Sequence, residues 1–151
     1  MELICAHDRI LMMGHGSPWG LLSVGRFPGA GMYIIDYEVV HLLREKSNNV
    51  YIWCYADLFV EENNLQGFYS GMFISEVREA SAIGLKNVNQ HLIDQSNLIF
   101  SNIASNFINE NAQVLYNNVR REYGMIIGEN QVAQYNYERL YFYAHPRMNQ
   151  I

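Results

Sequence analysis

Two short apolar runs, each stopped by a side chain capable of chemistry, constrain this chain more than any other feature. The run from Arg9 to Met13 breaks at Gly14-His15-Gly16-Ser17-Pro18, and Val50-Tyr51-Ile52-Trp53-Cys54 ends on a thiol. Runs this short and this apolar read as strands covered on both faces, the habit of an interior parallel sheet. The stretch between them then has to supply a crossover. Asp36 is a plausible N-cap for a helix from Tyr37 to Glu45, with Val39, Val40 and Leu43 on one face and Ser47-Asn48-Asn49 breaking the pattern.

Six of the eleven glycines fall between Gly14 and Gly31, so this part is expected to be irregular, with Leu21 to Val24 pairing with Met32 to Ile35 as a small hairpin. After Cys54 a short helix is expected from Ala56 to Leu65, ending near Gly67. Gly71-Met72-Phe73-Ile74-Ser75 then reads as a third buried strand. Strand, helix, strand, helix, strand from residue 9 to 76 implies right-handed parallel crossovers.

The second half changes period. Val88, Leu92, Ile99, Ile103 and Phe107 recur at helical spacing, as do Ala112, Leu115, Tyr116, Val119 and Tyr123 after Asn109-Glu110-Asn111. Twelve of the sixteen asparagines follow residue 86, where they are expected to cap helices and turn the chain. The tyrosine-rich tail from Tyr135 to Tyr143 reads as a last strand or a short helix packed on the body. The expected fold class is α/β in a single domain over 1–151: a small, mostly parallel sheet flanked by helices over 9–76, and a mainly helical extension over 77–151.

Composition narrows the function classes. Half of the residues are hydrophobic and 17% are charged, against roughly 25% in an average soluble protein, which argues for a packed core. A net charge of −5, with no basic cluster longer than Arg120-Arg121, argues against a nucleic-acid partner. No apolar stretch reaches the roughly 18 residues of a membrane span, and the first twenty residues carry no signal-peptide pattern, so a cytoplasmic location is expected. Cys5 and Cys54, the two cysteines, form neither a disulfide framework nor a zinc knuckle.

In open α/β sheets, ligands bind at the C-terminal ends of the strands, where this chain places a His and a Cys. Met13-Gly14-His15-Gly16, a glycine-rich loop, a helix and an apolar strand closing on Cys54 resemble the superfamily of caspases, clostripain, gingipains, separase and CHAT-domain peptidases. The resemblance covers residues 9–76, with 39 residues from the His to the Cys. It implies a thiol protease, a hydrolase of peptide bonds that needs no cofactor or metal. His15 would be the general base and acid, Cys54 the nucleophile, and the Gly16 and Cys54 backbone amides the oxyanion donors. Asp57 and Glu76 are the nearest carboxylates for a basic side chain of a peptide or protein substrate.

The chain departs from that family in two respects. It begins only eight residues before the His strand, so the sheet is either N-terminally truncated or unusually small, and Tyr55 follows the Cys where a small residue is common. These departures motivate an alternative, a non-catalytic interaction protein on the same scaffold. The bland readings are an ordinary strand-end His, a buried structural Cys54, and Asp57 and Glu76 as first-turn residues of helices. A further alternative reads Gly14-His15-Gly16-Ser17-Pro18 as a metal-binding segment like those of small chelatases or extradiol-type dioxygenases. Only His91, expected on a partly buried helix face, is placed to assist it. His7, His41 and His145 are expected at the surface, and Cys5 is expected to be inert. The unpaired edge of the first strand suggests a homodimer.

Overall fold

The computed structural model describes residues 1–23 and 31–145. Helix α1 (Glu2–Ala6) precedes strand β1 (Leu11–Met13), and β2 (Gly16–Ser17), β3 (Gly20–Leu22) and β4 (Tyr33–Ile35) form a small antiparallel sheet. A 3-10 turn leads into α2 (Val40–Arg44), then β5 (Asn49–Ile52), α3 (Ala56–Glu62) and β6 (Gly67–Ser70). The helices α4 (Val77–Ala82), α5 (Gln90–Asn106), α6 (Ala112–Tyr123) and α7 (Gln131–Tyr137) follow, and β7 (Leu140–Tyr143) closes the chain. The main sheet has the order β1-β5-β6-β7, parallel across β1, β5 and β6 and antiparallel at β7. It is an α/β architecture on a mixed four-stranded sheet.

Alternation along the strands divides the core. Met12, Tyr51, Trp53 and Tyr69 face α1, α2, α3 and the small sheet, whereas Val50, Ile52 and Phe68 face α5, α6 and α7. Strands β5 and β6 are buried at every position, the polar Asn49 and Ser70 included. β1 lies at the edge. Its register sets Leu11 beside Val50 and Met13 beside Ile52, yet both side chains remain about half exposed at 46% and 48%.

The long helices follow the apolar period. Ile93, Ser96, Phe100 and Ile103 form the buried stripe of α5, and Ala112, Leu115, Val119 and Tyr123 that of α6. A buried hydrogen bond of 2.6 Å between the Ser96 and Tyr123 hydroxyls ties the two helices together. Asn89, Asn111 and Asn130 cap α5, α6 and α7 with their side-chain oxygens, which accounts for part of the asparagine excess.

Several boundaries differ from expectation. The third strand is Gly67–Ser70 rather than Gly71 to Ser75, because α3 already stops at Glu62 and Asn64 takes a left-handed turn (φ 52°). Gly67 then enters the sheet at φ 135°, so close to Asn49 that a Cβ would lie 2.0 Å from its carbonyl oxygen. Phe73 and Ile74 sit in the following loop and still supply apolar surface to the core. The Tyr135 to Tyr143 tail contains both expected classes, the end of α7 and then β7. The hairpin forms between β3 and β4, with its expected Val24 end outside the described residues.

Asn49 joins the edge strand to the rest. Fully buried, it accepts the Ile10 N–H at 2.9 Å through Oδ1 and donates through Nδ2 to the Tyr51 hydroxyl at 2.9 Å. Replacing it removes one partner each from two groups with little access to water. Asn49→Leu is therefore expected to cost about 2–4 kcal/mol, read as a lower urea midpoint at an unchanged slope. A midpoint equal to wild type would show that the amide is dispensable.

Candidate functional site

Strands β1 and β5 end side by side. The Gly14 N–H donates to the Ile52 carbonyl at 3.1 Å, the last backbone bond before the two chains part, His15 following one residue later and Cys54 two. His15 turns into the small sheet and is exposed, and Cys54 enters the turn before α3 and is partly buried. Both side chains border the same two adjoining cavities. One, of about 300 Å³, runs toward Phe73 and Phe100, and the other, of about 540 Å³, runs toward Glu76, Arg78 and Glu79.

Trp53 fixes the His15 loop. Its buried ring donates through Nε1 to the Ser17 carbonyl at 3.1 Å and packs edge-on to Tyr51 and tilted against Phe59. Gly16 lies directly on that ring, where a Cβ would sit 2.1 Å from the indole Cδ1. This glycine is thus explained by packing whatever its part in chemistry. The Leu22 N–H donates to the His15 carbonyl at 2.9 Å, so the next pair, Gly16 with Leu21, is the non-bonded one and the Gly16 N–H points away from β3. The Cys54 N–H has no backbone acceptor among the described residues. Both expected oxyanion donors are therefore unengaged by the sheet, and both residues border the larger cavity.

The turn after Cys54 is held by the loop after β6. The Cys54 thiol donates to the Phe73 carbonyl at 3.1 Å, the Tyr55 N–H to Gly71 at 3.3 Å, and the Ser70 hydroxyl to Trp53 at 3.0 Å. No hydrogen bond joins His15 to Cys54 among the described residues. Burial pushes the thiol above its ordinary value, a backbone hydrogen bond at Phe73 opposes the shift, and the Glu79 and Glu76 carboxylates add to it.

Of the two expected carboxylates, only Glu76 borders the site. It begins α4 in a reciprocal capping box with Glu79, and its carboxylate also meets the Arg78 guanidinium at 2.6 Å. Glu79 is the fuller cap, accepting the Ser75 and Glu76 N–H groups at 2.7 and 3.0 Å. Asp57 borders neither cavity; it lies on the far side of the β5–α3 turn, against Gly71 and Arg139. Burial raises its carboxyl, while backbone N–H groups and the Arg139 charge oppose the shift. The first-turn reading expected for Asp57 and Glu76 therefore describes where both sit.

The other histidines stay apart. His7, His41, His91 and His145 are exposed, His91 more so than its helical context suggests, and none borders a cavity with His15. Among the described residues, no three His, Cys, Asp or Glu side chains gather as a metal ion would need. Sequence reasoning missed Phe100, Asn97 and Ser101, which bring α5 to the thiol. Phe100 lies on the buried stripe of α5 and signals core packing, half-buried Asn97 and exposed Ser101 read as ordinary polar helix positions, and none of the three says anything about a distant strand end.

Tyr55 adopts a left-handed conformation, φ 67° and ψ 29°, and this costs a non-glycine residue about 1–2 kcal/mol. Glycine removes that cost but loses about 0.5–1 kcal/mol through greater freedom of the unfolded chain. Tyr55→Gly is expected to stay within about 1 kcal/mol of wild type in equilibrium denaturation, and Tyr55→Val to lose about 1–2 kcal/mol. A Val variant as stable as the Gly variant would mean the turn relaxes freely.

No family model, curated protein or solved structure matches the chain.

Proposed function

We propose that the protein is a cysteine-type hydrolase acting on peptide bonds, with Cys54 as nucleophile and His15 as its proton partner. What carries this reading is an imidazole and a thiol placed just beyond the ends of adjacent parallel strands, both bordering the same two cavities. The resemblance to caspase-like peptidases rests on the same residues.

The reaction is an acyl transfer. With the thiol proton on His15, the Cys54 sulfur forms a bond to the scissile carbonyl carbon, and the carbonyl electron pair moves onto its oxygen. The Gly16 and Cys54 N–H groups, unengaged by the sheet, are the donors available to that oxyanion. The His15 imidazolium protonates the departing amine as the C–N bond breaks. Water then attacks the thioester, giving its proton to His15, and the thiol leaves reprotonated.

The raised thiol and its bond to the Phe73 carbonyl favour a second reading, a binding protein that keeps the cleft without turnover. In that form the thiolate is disfavoured by burial and by two carboxylates, which the Phe73 backbone hydrogen bond opposes.

Alkylation by iodoacetamide as a function of pH separates the two. Exposed Cys5 reacts as well, so the measurement uses a Cys5→Ser background with adducts located by mass. For the hydrolase, Cys54 keeps a reactive plateau below about pH 7 that His15→Ala abolishes, leaving a single ionisation above the ordinary thiol value of about 8.5. For the binding protein, both forms follow that same high ionisation and a peptide library stays uncut.

A further inference from the structure

The apolar cavity beside the thiol is the feature that the reading above leaves unused. Its volume is about 300 Å³, at the small end of ligand pockets, which suits one side chain rather than an extended ligand. Ile52 and Phe100 are buried in its floor, and Phe73 stands beside Phe100 with ring centroids 4.9 Å apart. Met13 borders the cavity from the edge strand, Asn97 and Ser101 from α5, and Cys54 and His15 stand at its mouth.

The polar groups of this cavity are already occupied or weak. Asn97 donates to the Ile74 carbonyl at 3.0 Å and accepts from Asn136 at 3.4 Å, so its amide is held for structure. Ser101 donates to the Leu98 carbonyl at 3.0 Å. Among the described residues no Asp, Glu, Lys or Arg borders it, and His15 and Cys54 are its ionisable groups. A cationic or anionic group placed there would lose water without gaining a partner, whereas an apolar ring would lose only unfavourable hydration. The carboxylates lie in the other cavity, and both are engaged: Glu79 by backbone N–H groups and Glu76 by Arg78.

We propose that the cavity between β5, the loop after β6 and α5 selects an aromatic or large apolar side chain of the substrate next to the bond presented to Cys54. This rests on the Cys54–His15 reading and gives it a substrate class. The aromatic pair of Phe73 and Phe100 offers an edge-and-face surface to an incoming ring, and Met13 adjusts its flexible thioether at the rim. The cationic side chain expected from Glu76 is not served by this cavity.

Chloromethyl ketones test the selection, because the Cys54 sulfur displaces chloride in one step and needs no turnover. Phenylalanyl and arginyl reagents of equal length are compared on the Cys5→Ser protein, with adducts on Cys54 located by mass and both rates divided by that of iodoacetamide. The phenylalanyl reagent is expected to react at least about tenfold faster, the discrimination an apolar pocket typically provides. Ser101→Trp, at an exposed rim position, is expected to fill the space and bring the ratio near one in a protein with native near-ultraviolet circular dichroism. Equal rates, a faster arginyl reagent, or a ratio untouched by Ser101→Trp would overturn the assignment. That failure is distinct from failure of the hydrolase reading, which shows as a His15-independent iodoacetamide profile whichever reagent is preferred.

Discussion

The Asn49 amide holds the edge of the sheet to its centre, and the position of the candidate site depends on that hold. β1 is only three residues long, and few ladder bonds join it to β5. A slip of one residue would turn Met12 outward and drive Leu11 and Met13 into the opposite face. Asn49 resists the slip because its Oδ1 binds the Ile10 N–H at 2.9 Å while Nδ2 is shared between the Tyr51 hydroxyl at 2.9 Å and the Leu43 carbonyl at 3.4 Å. Strand, neighbouring strand and preceding helix thus meet at one side chain. The close entry of Gly67 against the Asn49 carbonyl extends the same junction to β6. His15 reaches Cys54's cavities only because this register is kept.

The parts of this arrangement legible in the sequence were those written in periodicity. Apolar runs marked β1 and β5, and the three-to-four spacing marked α5 and α6, because burial on a given face demands those patterns. Asn49 was not legible. Within Ser47-Asn48-Asn49 it has the composition of a helix breaker, and a polar residue that ends a helix looks the same as one that bridges two strands from inside the core. The third strand was misplaced for a related reason. Phe68 to Ile74 is almost unbroken apolar sequence, and only the left-handed Asn64 and the close approach at Gly67, both tertiary facts, decide which part pairs. His15 and Cys54 can be placed together from the sequence because residues that end adjacent strands share a sheet edge. Phe100 cannot, since no local pattern ties a mid-helix aromatic to a strand end about fifty residues earlier.

Electrostatics at the site opposes the chemistry proposed for it unless the imidazole takes part. Burial disfavours a thiolate at Cys54, and the Glu79 and Glu76 carboxylates act in the same direction. Glu79 cannot leave without uncapping α4, because its oxygen holds two backbone N–H groups and the Ser75 hydroxyl. Arg78, beside this cavity, is engaged by Glu76 at 2.6 Å. In the proposed reaction, ionisation is favoured when His15 takes the thiol proton or when a substrate displaces the Phe73 carbonyl that accepts the S–H. An exposed imidazole gains strength as an ion-pair partner when water is excluded, and occupation of the apolar cavity would exclude it.

The two cavities differ in polarity. One is apolar, formed where the sheet face meets α5; the other is the more polar of the two, formed where the β2–β3 hairpin meets the start of α4. They share His15 and Cys54, so a chain laid across both would place an apolar side chain on one side of the sulfur and backbone or polar groups on the other. Gly16 and Cys54 border the more polar side; in the proposed reaction their N–H groups would meet the carbonyl oxygen there while the apolar side held the neighbouring group still. On that proposal, binding energy gained in the apolar cavity would offset the cost of bringing the thiol to its ionised form and so link selection of the substrate to activation of the nucleophile.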